Sequence, residues 1–317
     1  MHQAITMPML HHLLPILLHR ATYLTPIILA GLLIGEPWGR LLRFPVVRAQ
    51  LAGIVASLGD KLNRPNRSIA TRLYRGIVAL AMLLLPAIAL GFFLMRPPEW
   101  IQLLASLLLP ALIGTLLLPY TAYRLHRAAR RGTLALQSAD PHYLFADTYG
   151  QLRYHILAYG RRFALLTGAS FYFLVADMPG LLAYLTLAAA AAFYSPAQPE
   201  NRAFGWCAAG LFALFDAPPR LITCLLLWLA ALFIPRTHPL TTLAHLASAA
   251  RQFHGWLAWL LGLSLGGPVP TPAGEVSLPW RGDGTPKPAP KDFGRLLQLL
   301  LAALAILLML LGSSIYQ

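Results

Sequence analysis

Side chains able to do chemistry are few in this chain, and they fall in a handful of places. The densest run is Gly266-Gly267-Pro268, then Ala273-Gly274-Glu275-Val276, then Pro279-Trp280-Arg281-Gly282-Asp283-Gly284. Two carboxylates and an indole on glycine-rich backbone can hold Mg²⁺ through oxygen or cradle an anion on exposed N–H groups. The same residues also make an ordinary solvated turn. Glu36, in Gly35-Glu36-Pro37, sets a carboxylate where a first apolar run stops, a position that suits an interfacial acid or a plain helix stop. Asp177 lies inside an apolar stretch beside Pro179 and Gly180, where it either serves a site or caps a half-helix. Asn63 and Arg64, with Arg67, Arg72 and Arg75, gather cations ahead of another apolar run. They suit lipid head groups and topology or a clamp on a phosphorylated substrate. The 10 histidines and the pair Cys207 and Cys224 show no metal-ligand spacing, and no Walker or other phosphate fingerprint is present. No resident metal can be assigned.

The elements that must position these residues belong in lipid. Over 317 residues the chain is 57% hydrophobic and 11% charged, with a mean hydropathy of +0.61, too few charges to cover a water-facing surface. The net charge of +14 punctuates apolar runs instead of forming a basic face, which argues against nucleic acid and for a bilayer. About 20 apolar residues span a membrane as a helix, and six segments qualify: 13–35 (dependable from Ala21), 76–95, 100–120, 163–194, 221–234 and 296–312. The expected fold is an all-α polytopic membrane protein, a single integral membrane domain over 1–317.

Loop charges orient the segments. Residues 36–75 carry eight basic and two acidic side chains, 121–162 seven against two, and 236–295 six against three, whereas 96–99 is neutral and 196–219 has one against two. The three basic loops are expected in the cytoplasm and both termini outside, if 163–194 crosses once. The alternative turns that segment into a hairpin at Asp177-Met178-Pro179-Gly180, giving seven crossings. Within the loops, 46–62 has apolar residues at helical spacing and reads as an amphipathic helix on the membrane or the protein. Trp256 to Leu265 is too short to span and is expected to be buried or interfacial. Gly266 to Pro290 is expected to be an irregular Gly/Pro-rich loop. The N-terminal apolar run lacks a positive n-region and a small-residue cleavage site and reads as retained.

The order of motifs resembles the CobD/CbiB membrane proteins of cobalamin biosynthesis, adenosylcobinamide-phosphate synthases. The residues that carry it are Leu33-Ile34-Gly35-Glu36-Pro37, Pro45-Val46, Leu62-Asn63-Arg64 with Arg67 and Gly76, and Asp147-Thr148. Pro179-Gly180 with Tyr184, Phe204-Gly205, Pro219-Arg220-Leu221 and the final Gly-Gly-Pro to Gly-Asp-Gly series follow in order. The resemblance implies an ATP-dependent, amide-forming ligase in a bacterial inner (plasma) membrane, joining the carboxylate of adenosylcobyric acid to aminopropanol or its phosphate. It further implies ATP and Mg²⁺ as cofactors and a corrinoid as substrate. Glu36, Asp147, Glu275 and Asp283 are then the catalytic candidates, and Asn63, Arg64, Arg67, Arg220 and Trp280 the substrate-binding ones.

The chain also departs from that pattern. Where the family carries a Glu-, Asn- and Asp-rich stretch, an ungapped alignment on Pro179-Gly180 places Ile156, Gly160, Arg161 and Ala164. An Asn-Thr-Leu-Asp-Ser pattern falls on Ala188 to Ala192, and an aspartate pair before Pro219 on Phe212 and Ala213. Exchanging buried polar groups for alanines removes ligands together with the cost of burying them. A second reading is therefore a catalytically silent membrane paralogue with a partner-binding or sensing role, similar to AmpE. Against it stands the Pro-Trp-Arg-Gly-Asp-Gly loop, which AmpE-like proteins generally lack. A transporter, with Asp177 in a broken segment, is a third.

Overall fold

The structure, a computed structural model, describes residues 6–42, 44–95, 99–133, 148–245, 253–271 and 274–313. Helix α1 (Thr6–Ala30) runs through a π-turn at Gly31–Gly35 into α2 (Glu36–Leu41). Next come α3 (Phe44–Leu62), α4 (Ile69–Met95), α5 (Glu99–Leu117) and α6 (Pro119–Arg130). Then follow α7 (Thr148–Phe193), α8 (Trp206–Ala231), α9 (Pro239–Leu243) and α10 (Phe253–Leu261). Strands β1 (Leu265–Thr271) and β2 (Gly274–Arg281) precede α11 (Pro290–Gly312). Six helices are long and apolar enough to cross a membrane. The protein is a multi-pass membrane protein of the expected all-α class.

The central feature is in α7, where Asp177 takes φ 56 and ψ −148 and breaks the helix in two. Gly168 and Tyr184 would stand about 24 Å apart along a straight helix, yet a Cβ on Gly168 would lie 2.1 Å from the Tyr184 hydroxyl. The rings of Tyr172 and Tyr184 stack at 5.2 Å. Residues 148–176 and 178–193 are therefore the arms of a helical hairpin, the alternative reading of this segment and not the single crossing. Arg20 closes the turn. Its Nη1 donates to the Leu174 and Val175 carbonyls at 2.8 and 3.0 Å, and its Nε lies 3.3 Å from Asp177 Oδ2. Asp177 Oδ1 in turn accepts the Met178 N–H at 2.8 Å, which satisfies the first donor of the second arm.

The hairpin fixes which end of the bundle each segment reaches. At the Asp177 end, Gly91 of α4 meets Pro179. At the other end, Tyr159 of the first arm reaches the Leu118 carbonyl, while Gly76 of α4 meets Phe204 and Gly205 meets the Tyr194 carbonyl. Both arms therefore open toward the same, basic end. Helix α8 begins there beside Tyr194 and also finishes there. Trp228 Nε1 donates to the Pro239 carbonyl, His238 N–H to the Leu260 carbonyl, and Arg295 to the Leu261 carbonyl. The hairpin adds a pass and α8 adds none, so the passes among the described residues are α1 with α2, α4, α5, the two arms and α11. The neutral 196–205 segment thus joins the basic loops, against the charge-based expectation, because a hairpin returns the chain to the side it came from.

Two other expectations are corrected. The fifth segment is not a short run from Leu221: α8 starts at Trp206 and carries Pro218 and Pro219 inside it. Pro219 has no N–H for the Phe215 carbonyl, and the Tyr172 hydroxyl donates to that oxygen instead, at 2.7 Å. The Gly266–Pro290 loop is largely an antiparallel hairpin, with Gly267 opposite Leu278, Val269 opposite Val276 and a bulge between Leu265 and Gly267. A Gly-rich sequence hides this because Gly282, at φ 92, brings its Cα against the Leu263 carbonyl, where a Cβ would lie 2.1 Å away; only glycine fits there. The expected amphipathic helix is α3, whose Val55, Leu58 and Leu62 pack on the Tyr194 and Phe204 cluster, and α10 is buried as expected.

Helices α1, α2 and α5 cross at small residues, as membrane helices do. A Cβ on Gly114 would lie 2.1 Å from the Gly35 carbonyl carbon, and one on Gly35 2.2 Å from the Pro110 carbonyl oxygen. Both neighbours are backbone and cannot swing aside. Gly114→Val should lower the thermal unfolding midpoint in detergent by several degrees or abolish folded expression. Gly210→Val, with nothing within 4 Å of its Cβ, should leave the midpoint unchanged.

Candidate functional site

Polar groups inside the bundle collect on α8 where the two proline residues bend it. Asp216 is 5% exposed. Its Oδ1 accepts the Tyr184 hydroxyl at 2.6 Å, and its Oδ2 accepts Arg220 Nε at 2.8 Å and Arg220 Nη2. The pair forms because residues four apart share a helix face. Its carboxylate is held by a phenol and a guanidinium, and deleting either charged partner would strand the other, at a cost of about 3–5 kcal/mol.

Nearby, Arg161 of the first arm donates its Nε to His254 Nε2 at 2.7 Å. An accepting Nε2 requires a neutral ring with its proton on Nδ1. Burial pushes the His254 pKa down, and the Arg161 and Arg220 cations push it the same way, to about 3. Among the described residues no carboxylate pairs with Arg161 or Arg162; the four ion pairs are Arg20–Asp177, Arg40–Glu36, Arg220–Asp216 and Arg295–Asp292. Three buried nitrogens also lack a partner there: His126 Nδ1, Arg162 Nη1 and Trp256 Nε1. Among the described residues the basic end of the bundle thus holds cations without a carboxylate and nitrogens without an acceptor, which suits a ligand rich in carboxylate, phosphate or amide oxygens.

The sequence-predicted residues are distributed around this region and are not gathered into one centre. Glu36 is 1% exposed, and its carboxylate is fully engaged. Oε2 accepts the Tyr120 and Thr121 N–H groups at 2.8 and 3.1 Å, and Oε1 accepts the Thr121 hydroxyl and Arg40 Nη2, each at 2.5 Å. It caps α6, which starts after Leu118 at φ 48. Asn63 bridges two loops, donating to the Glu200 carbonyl at 3.1 Å and to Asn201 Oδ1 at 2.8 Å while accepting from Arg72 Nε at 2.9 Å. Arg64 and Arg67 are exposed in the turn between α3 and α4. Arg220 belongs to the Asp216 knot. Trp280 is half exposed, with the Arg153 guanidinium 4.8 Å above its ring. Asp283 is exposed just after β2, and Glu275 stands in β2 opposite Pro270. Asp147 lies outside the described residues.

Sequence reasoning missed Asp216, although its spacing of four from Arg220 beside a Pro-Pro pair was a usable signal. The Arg161–His254 contact joins residues 93 apart and leaves no local pattern. The described residues do not fit a protein-held Mg²⁺ with nucleotide: no three His, Cys, Asp or Glu side chains converge, and the carboxylates of Glu36 and Asp216 already accept from several donors.

The chain is 29% identical over 260 residues to the cobalamin biosynthesis protein CobD of Rhizobium meliloti (strain 1021), an alignment that covers 74% of this chain and 78% of that protein. That similarity supports a divergent relationship to the CobD/CbiB proteins. No family model and no solved structure matches it. The Gly-Glu-Pro, Leu-Asn-Arg, Pro-Arg-Leu and Pro-Trp-Arg-Gly-Asp-Gly segments that carry the resemblance have physical work in this fold. They cap α6, tie α3 to the 199–201 turn, hold Asp216 and form the β-hairpin.

His254 gives the site a pH signature. Its folded pKa of about 3 lies below the ordinary 6.5, so the unfolded chain takes up the proton first as pH falls. The stabilisation from a neutral His254 is complete above 6.5 and is lost progressively toward 3. Thermal unfolding in detergent should show a midpoint that falls by several degrees from pH 7.5 to 5. His254→Gln, which keeps an acceptor, should flatten that slope.

Proposed function

We propose that this membrane protein acts in cobalamin biosynthesis and that its basic end receives a corrinoid intermediate, resembling the ligase that attaches aminopropanol or its phosphate to adenosylcobyric acid. The observation that carries the reading is the similarity to CobD along three quarters of the chain. Arg161 and Arg162 support it: neither pairs with a carboxylate among the described residues, and an amide-rich corrinoid bearing a carboxylate supplies acceptors for them. In this reading Trp280, half exposed under the Arg153 guanidinium, and the exposed Asp283 face the substrate, and ATP and Mg²⁺ belong to the reaction. The basic loops lie in the cytoplasm of a bacterial inner membrane.

A second reading, a catalytically silent paralogue that binds a corrinoid or a protein partner, is favoured by one specific observation. Glu36 and Asp216 have their carboxylates tied up in capping and ion pairing, so they are not spare catalytic acids.

Complementation separates the two. A bacterial strain lacking its own synthase, expressing this chain and given cobyric acid, should grow if the ligase reading holds, and Asp283→Ala should abolish that growth. Growth on cobinamide alone, with the protein confirmed in the membrane, would sink the ligase reading and leave the silent one.

A further inference from the structure

Helix α6 presents a face that the proposed chemistry does not use. Tyr120, Tyr123, Arg124, Arg127, Arg130 and Arg131 at its C-terminal edge are all exposed, while Ala122, Ala128 and Ala129 are buried. Spacings of three and four put the exposed set on one stripe about 120° wide. The stripe is ordered along the axis: two tyrosines nearest the end of α5, then four arginines. No Asp or Glu lies between Pro119 and Arg131. The Arg124 and Arg40 guanidiniums each lie 5.9 Å from the Tyr120 ring. Glu36 locks the start of α6 by accepting the Tyr120 and Thr121 N–H groups, so the stripe is held at a fixed angle to the preceding apolar helix.

We infer that this stripe is a seat for anionic phospholipid. A phenol belt followed by guanidiniums, continuous with an apolar helix, matches the order of acyl chain, glycerol and phosphate met on leaving a bilayer. Arginine forks pair with phosphate oxygens in bidentate fashion. The position of the stripe at the end of a membrane helix, with its aromatic residues nearest the apolar part, selects a lipid over a soluble polyanion.

The test uses the whole protein purified in a mild non-ionic detergent, with retained lipid measured by mass spectrometry. The wild type should keep phosphatidylglycerol or cardiolipin, and the combined Arg124→Gln, Arg127→Gln, Arg130→Gln and Arg131→Gln variant should lose most of it. An Arg202→Gln, Arg236→Gln control, which removes exposed arginines elsewhere, should keep it. Equal retention in all three, or equal loss in the control, overturns the assignment. Should the combined variant fail to fold, the wild type alone decides: phosphatidylglycerol must raise its thermal midpoint where phosphatidylcholine does not. Equal shifts from the two lipids, or the same shift from inorganic phosphate, contradict a lipid seat.

Discussion

Everything in this fold hangs on a turn made where backbone has no water to bond. Inside lipid every N–H and C=O must find a protein partner, so a helix that reverses must close both of its loose ends. Arg20 takes the Leu174 and Val175 carbonyls at the end of one arm, and Asp177 takes the Met178 N–H at the start of the next. The ion pair between them joins α1 to the turn. Each charge is costly there on its own; together they close the break. With the turn fixed, α4 lies along the second arm, α1 along the first, and α8 must enter and leave at the basic end.

That geometry decides how the remaining polar groups are used. Carboxylates are scarce and go largely to structure: Glu36 caps α6, Asp216 anchors α8, and Asp292 accepts the Ala289 N–H at 2.8 Å to cap α11. Arginines outnumber their partners, and the surplus gathers at one end of the bundle. With Glu36, Asp216 and Asp292 engaged and no carboxylate on Arg161 or Arg162 among the described residues, this end suits an oxygen-rich ligand. Along Ala188 to Ala192, where the resemblance implied polar residues, Ala190 joins Ala79 and Leu80 of α4 in an apolar cluster.

Much of the fold was legible because lipid imposes long apolar runs whose ends are marked by charge. The six apolar runs, the amphipathic α3 and the buried α10 follow from that rule. Asp177, Pro179 and Gly180 signalled a break, but composition cannot tell a kink from a reversal. That choice rests on contacts such as Tyr172 with Tyr184, made only once the arms meet. The β-hairpin was hidden because its glycines and prolines look like loop residues when read singly. Glu36 was legible as a special acid, yet its partners Tyr120 and Thr121 lie more than 80 positions away, and its capping role appears only in three dimensions.

The reversal at Asp177 is tested most directly by asking which side of the membrane the 196–205 segment faces. With Cys207 and Cys224 replaced by alanine, single cysteines at the exposed positions Ala197 and Ser68 would be exposed to a membrane-impermeant maleimide in whole cells and in inverted vesicles. A hairpin predicts that both positions label from the same side. Labelling of Ala197→Cys from the side opposite to Ser68→Cys would mean that 163–194 crosses once, and the account built on the turn would fail.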